Sequence, residues 1–192
     1  MICLVRHGET EWSRSGRHTG LTDLPLTADG ERCAGAVGAA LAGKRFARVW
    51  SSPLKRAHRT CELAGFAAQA VVDDGLVEWD YGDYEGRLTS EIQQERPGWS
   101  LFRDGCPGGE SVPQAVERAA SFLKRAGAEQ EGLLIFSSGH FLRLLTTVWL
   151  GRDPQFADHL LLGTGSISKL EFDVKHGVPA LQLWNHQPAL MP

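Results

Sequence analysis

Nowhere does this sequence approach the roughly 20 consecutive apolar residues that cross a bilayer as a helix, so no spanning segment is expected. Positive charge is in deficit. The 20 Lys and Arg are outnumbered by 23 Asp and Glu, and the formal charge of −3 supplies neither a basic face for nucleic acid nor a polybasic patch for a membrane. Cysteine is sparse and scattered: Cys3, Cys33, Cys61 and Cys106 form no C-x-x-C and have no paired histidines nearby. A zinc site is therefore not expected, and free thiols in a reducing cytoplasm are. No basic segment followed by an apolar one opens the chain, and residues 2–5 read as structural, so no cleaved leader is expected. Internal repeats and low-complexity tracts are also missing. Gly163-Thr-Gly-Ser-Ile-Ser168 lacks the third glycine of a dinucleotide loop and precedes a strand rather than a helix.

What is present is an ordinary globular composition, 42% hydrophobic and 22% charged over 192 residues, enough for one domain spanning 1–192 with a sizeable core. Apolar, β-rich runs predict strands at 2–5, 48–52, 70–73 and 132–136, and an edge hairpin from 166–172 and 181–186. Helical spacing and caps predict helices over 28–43, capped by Thr27, and over 53–64, capped by Ser52 with Pro53 at the first position. A Ser90–Gln93 capping box predicts a short helix before Pro97, and a Ser111–Gln114 box a longer one to 126 with Val116, Ala119, Ala120 and Leu123 inward. A helix is predicted over 141–150, and a short one within 151–162. Residues 11–26 read as a polar loop, and 104–111 as a turn cluster forming a mobile rim. Alternation of strands and helices gives an α/β fold with a mostly parallel central sheet.

In such a sheet, ligands sit at the carboxyl ends of the strands. The first strand ends in Arg6-His7-Gly8: a cation, an imidazole, and a glycine that would let the main chain approach an anion closely. The strand at 132–136 ends in Ser137-Ser-Gly-His140, a second Gly/His pair opening a helix, where the dipole also favours an anion. Arg56 and Arg59 lie on the first turns of the helix after Ser52. Arg14, Arg17, His18 and Thr19, with the flexible Gly16 and Gly20, could fold over an anion held at His7. Together these residues point to phosphoryl transfer, with His7 as nucleophile and arginine as the phosphate clamp. The leaving oxygen then needs an acid, and Glu78, Asp80, Asp83 and Glu85 all compete for that role.

Leu4-Val-Arg-His-Gly-Glu-Thr10 resembles the signature of the histidine phosphatase superfamily, which includes the cofactor-dependent phosphoglycerate mutases. Four further segments carry the same resemblance. Ser13-x-Ser-Gly-x-x-Thr-Gly-Leu-Thr-Asp-Leu-Pro-Leu-Thr27 is similar to the sedoheptulose-bisphosphatase type, and Ser52-Pro-Leu-Lys-Arg-Ala-His-Arg-Thr60 to the motif bearing a phosphate-binding arginine. Tyr81-Gly-Asp-Tyr-Glu-Gly86 and Pro107-Gly-Gly-Glu-Ser111 match two more.

The resemblance implies a three-layer α/β/α sandwich of the phosphoglycerate-mutase-like kind. It implies phosphate held by Arg6, Arg56 and His140, attack by His7, and Glu78 as acid and then base, with Glu85 a structural anchor and Thr60 a packing or capping residue. Ser13, His18, Thr19, Gly20, Tyr81 and Gly139 are expected on the substrate side. Ser13 stands where many members have Asn, which weakens a mutase reading. Phe141, in place of a second glycine, is expected to narrow the pocket. The expected activity is hydrolysis of a small phosphorylated metabolite such as a sugar phosphate, through phosphohistidine and without metal or cofactor. The chain lacks the basic insertion after Gly86 that a mutase would use to retain and rebind phosphate. The competing readings are a phosphoglycerate mutase, an α-ribazole-phosphate phosphatase, and a non-catalytic phosphate-binding module, which would be expected to lose His7 or Glu78. Oligomeric state is left open between monomer and homodimer.

Overall fold

The computed structural model describes residues 1–127 and 132–190. In chain order its elements are β1 (Ile2–Arg6), α1 (Glu11–Ser15), α2 (Ala28–Leu41), β2 (Arg48–Ser51), α3 (Lys55–Leu63) and β3 (Ala70–Val72). Then come α4 (Thr89–Glu95), α5 (Leu101–Asp104), α6 (Val112–Ala126), β4 (Leu133–Ser137), α7 (Gly139–Trp149), β5 (Ile167–Asp173) and β6 (Val178–His186). Short 3-10 turns fill several of the connections, among them Asp74–Leu76 and Gly82–Tyr84.

The six strands form one sheet in the order β3-β2-β4-β1-β5-β6. The first four are parallel, and β5 and β6 add antiparallel strands beyond β1. Strand alternation sends successive side chains of β1 to opposite faces. Ile2 and Leu4 join Phe122, Leu133, Ile135, Leu142 and Leu145 in the core under α6 and α7. Cys3 and Val5 join Val37, Leu41, Val49, Cys61 and Phe136 under α2 and α3. The sheet is thus covered by helices on both sides, as a parallel sheet requires. Its register pairs Arg6 with Ser137 and Ser51 with Phe136, so β1, β2 and β4 end level with one another. No helix among the described residues is long and apolar enough to cross a membrane.

Several local expectations are corrected. Residues 11–15 are helical rather than loop: Thr10 Oγ1 accepts the Ser13 N–H (3.2 Å), Ser13 Oγ accepts the Thr10 N–H (2.8 Å), and Gly16 ends the turn at φ 77°. Helix α3 begins at Lys55, not Pro53: the Ser52 N–H continues the sheet to Phe136 O, and Leu54 is still extended (φ −64°, ψ 132°). Its cap comes from across the chain, where Asp23 Oδ1 accepts the Lys55 N–H at 2.7 Å. Helix α4 starts earlier than its supposed Ser90 cap, and Glu91 Oε2 accepts the Leu88 N–H at 2.8 Å. On α6 the fully buried stripe is Ala115, Ala119, Phe122, Leu123 and Ala126, leaving Val116 and Ala120 half-buried.

The hairpin expected at the edge is present: β5 and β6 pair antiparallel, with β5 against β1 and β6 outermost. The 104–111 segment is not a loose rim. It is zipped to 80–83 by Glu110 N–H to Asp80 O and Asp83 N–H to Pro107 O, both 2.9 Å. The two backbones approach so closely there that a β-carbon on Gly82 or Gly109 would meet main-chain atoms at 2.3 Å.

Candidate active site

The level ends of β1 and β4 place His7 beside the start of α7, and the His7 N–H donates to Ser137 O at 3.0 Å. The His7 ring is buried, and its Nδ1 lies 2.7 Å from Gly8 O. A carbonyl only accepts, so Nδ1 carries the proton and the lone pair of a neutral ring is on Nε2. Burial lowers the His7 pKa well below its ordinary 6.5, and the charges of Arg56 and Arg6 lower it further. The ring is therefore held neutral. Gly8 has a different use from the one expected. Its N–H donates to Thr60 Oγ1 (3.0 Å), and a β-carbon there would strike Gly30 O of α2 at 2.3 Å. It admits helix backbone rather than an anion.

Helix α7 opens without a side-chain cap from Ser138. The first N–H groups of a helix have no intrahelical acceptor. Here Glu78 supplies one: Oε2 accepts from His140 N (3.0 Å), and Oε1 accepts from Phe141 N (2.7 Å) and Trp79 N (3.0 Å). Glu78 is buried, and it alone of the four acidic residues between 78 and 85 lines the cavity described below. Asp80 instead binds Gly82 N–H, and Glu85 accepts the N–H groups of Gly20 and Thr22. Phe141 does not narrow the pocket. It is wholly buried in the core, with the Arg118 guanidinium 4.2 Å above its ring.

Arg6 Nη1 donates to Leu162 O, and its Nε is a buried donor with no partner among the described residues. Arg56 is wholly buried, and its terminal nitrogens bind the loop rather than facing the cavity. Its Nη1 donates to Thr22 O (2.9 Å) and its Nη2 to Thr19 O (3.0 Å) and Gly20 O (2.8 Å), leaving Nε a donor with no partner among the described residues. His140 Nδ1 lies 2.5 Å from the Tyr81 hydroxyl. Burial, followed by the charges of Arg143 and Arg6, lowers the His140 pKa well below 6.5.

A cavity of about 180 Å³ gathers these groups. Of the residues expected at the site, Arg6, His7, Ser13, His18, Thr19, Glu78, Tyr81, Gly139 and His140 line it. Gly20 and Arg56 do not. The Gly20 N–H is taken by Glu85, and a β-carbon on Gly20 would meet Trp79 O at 2.5 Å, so it holds the loop from behind. The Ser13 hydroxyl is engaged in capping α1. Arg143, Thr89 and Leu162 also line the cavity and were not anticipated. Arg143 had a readable signal, for it stands three residues after His140 on one helix and so on the same face. Among the described residues no three His, Cys, Asp or Glu side chains come together in a group able to hold a metal ion.

Comparison with known proteins places this geometry. The chain is 38% identical over 184 residues to an acid phosphatase of Mycobacterium tuberculosis, covering 94% of this chain and 89% of that one. It is 37% identical over 185 residues to the sedoheptulose 1,7-bisphosphatase of Saccharomyces cerevisiae, covering 79% and 68%. Among solved structures, an open reading frame of Mycobacterium tuberculosis superimposes with a TM-score of 0.92 at 36% identity, over 98% of both chains. A phosphoserine phosphatase of Entamoeba histolytica superimposes at 0.85 and 27%, over 99% of this chain and 98% of that one. The family profile of the histidine phosphatase superfamily (branch 1) matches residues 2–187, and the chain belongs to that superfamily.

Proposed function

We propose that this protein is a metal-independent phosphomonoester hydrolase that works through a phosphohistidine intermediate, as one domain over residues 1–192. The observation that carries the reading is the 2.7 Å contact of His7 Nδ1 with Gly8 O: because a carbonyl only accepts, Nδ1 bears the proton and the nucleophilic lone pair is on Nε2 of a ring held neutral. Nε2 attacks phosphorus in line and the P–O bond to the alcohol breaks. Arg6, through the Nε donor that no described residue engages, and His140 hydrogen-bond the equatorial oxygens, and the buried charge of Arg56 stabilises them from behind the cavity wall. The two arginines supply the charge that a metal provides elsewhere. Glu78 protonates the departing alkoxide, then takes a proton from the water that hydrolyses phosphohistidine.

For substrate, the reading is a small phosphorylated metabolite such as a sugar phosphate. Relatives named as a sugar bisphosphatase and a phosphoserine phosphatase support it. So does the cavity, which is small and has two further cations, Arg17 and Arg143, on its wall to take a second anionic group. Free thiols at all four cysteines support a reducing compartment such as the cytoplasm. The test is hydrolysis of p-nitrophenyl phosphate in EDTA, with rapid quenching to trap an acid-labile, alkali-stable phosphoenzyme. Turnover in EDTA and trapped phosphate on His7 are expected, and His7→Ala should lower kcat at least about 10³-fold. Retained turnover in that variant would remove His7 as nucleophile.

A further inference from the structure

Tyr81 is expected from the sequence to touch substrate, but its hydroxyl is committed elsewhere. The side chain is buried, and its oxygen lies 2.5 Å from His140 Nδ1. Its ring packs at a 42° tilt against His18, centroids 4.7 Å apart, and His18 is in turn held by Trp99 (5.6 Å, edge-on) and by Thr89 Oγ1 at 3.2 Å from its Nε2. Tyr81 therefore meets His140 from one set direction, while the His140 ring borders the cavity.

A neutral imidazole carries one proton, and the partner on one nitrogen decides what the other can do. With the proton on Nδ1, the phenol would accept, and Nε2 would turn a bare lone pair toward a bound oxyanion. With the proton on Nε2, the phenol donates to Nδ1 and Nε2–H becomes a donor for that oxyanion. We infer that Tyr81 is a positioning residue: by donating its phenolic proton to Nδ1 it fixes His140 in the Nε2–H tautomer, so that an uncharged ring can hydrogen-bond the phosphoryl group. The inference rests on the proposed role of His140 in holding phosphate. The phenol keeps its proton at neutral pH, because burial pushes its pKa well above 10. Burial, and then the charges of Arg143 and Arg6, disfavour a second proton on His140, which would reverse the bond to Tyr81. Anion binding and the phenol select the same tautomer from opposite sides of the ring, so each strengthens the other.

The test is 15N–1H correlation of the imidazole rings in histidine-labelled protein at neutral pH, with and without inorganic phosphate, His140 being assigned through His140→Gln. An unprotonated Nδ1 and a protonated Nε2 are expected, more completely so with phosphate bound. Tyr81→Phe keeps the ring against His18 but removes the donor. It should mix the two tautomers and lower kcat/KM for p-nitrophenyl phosphate about tenfold, as loss of one hydrogen bond does, with the melting temperature lowered by no more than roughly a few degrees. A proton on Nδ1 in the wild type, while His7 still responds to phosphate, overturns the inference and leaves the phosphate site intact. No response of either histidine to phosphate overturns both. Should Tyr81→Phe not fold, the wild-type spectrum alone decides which nitrogen bears the proton.

Discussion

The guanidinium of Arg6 lies against the α-carbon of Gly139: a β-carbon at position 139 would stand 3.0 Å from Arg6 Nε and 3.1 Å from its Cζ. Gly139 is in the first turn of α7 and does not have a positive φ, so the helix itself tolerates alanine there. The cost of Gly139→Ala is thus placed on Arg6, whose Nη1 is tethered to Leu162 O and which must give by a few tenths of an ångström. Misplacing a charge that holds the reacting group is expensive for rate, and kcat/KM should fall by roughly 10–100-fold. The urea midpoint should stay where it is. A variant with wild-type kinetics would show that Arg6 does not need its present seat.

How much of this was readable beforehand differs from residue to residue for physical reasons. Runs such as Leu-Leu-Ile-Phe at 133–136 announce a strand buried on both faces, and the Arg-His and Gly-His pairs at two strand ends are visible without coordinates. That those ends lie level and share a cavity depends on strand order and register, which no local pattern encodes. Helix α1 was missed because its stability comes from a reciprocal Thr10–Ser13 cap rather than from apolar periodicity. The same holds where a donor and its acceptor are distant in sequence. Asp23 capping α3, Glu78 capping α7 and Glu85 holding Gly20 are all tertiary contacts. Gly8 could be read as a close approach, but what approaches it, the carbonyl of Gly30, could not.

Arg56 combines two tasks that are separate in most sites. Three loop carbonyls, of Thr19, Gly20 and Thr22, are bound by its terminal nitrogens, while its charge lowers the pKa of His7. A lysine keeps the charge but has no planar fork, so Arg56→Lys should leave buried carbonyls unpaired and cost about 2–4 kcal/mol of stability. The loop carrying His18 and Thr19 loses its anchor with it, and kcat/KM should fall by more than the stability change explains at temperatures where the variant is fully folded. Arg59, one turn further along α3 with its ion pairs to Glu31 and Glu62 in solvent, is the control. Arg59→Lys should change neither denaturation midpoint nor kinetics measurably. Equal behaviour of the two variants would show that the Arg56 fork anchors nothing.

Acid should destabilise the fold from about pH 6.5 downward, before most carboxylates titrate. Burial lowers the His18 pKa from 6.5 to about 4, and lowers those of His7 and His140 well below 6.5. The unfolded chain takes these protons near 6.5 and the folded chain refuses them until lower pH. Between the two pKa values the unfolded state binds more protons, so stability rises with pH across that window and falls on acidification through it. Above about pH 7 both states are neutral and the effect vanishes. Each such histidine contributes up to about 1.4 kcal/mol per pH unit within its window. His18→Gln removes one, so between about pH 7 and about pH 5 the variant should lose about 2 kcal/mol less stability than the wild type in urea titrations. An equal loss would mean that His18 is protonated in the folded state. Catalysis follows the same sign: attack requires neutral His7, whose proton affinity Arg56 and Arg6 also reduce, so the acid limb of kcat/KM should lie below 6.5 rather than at it.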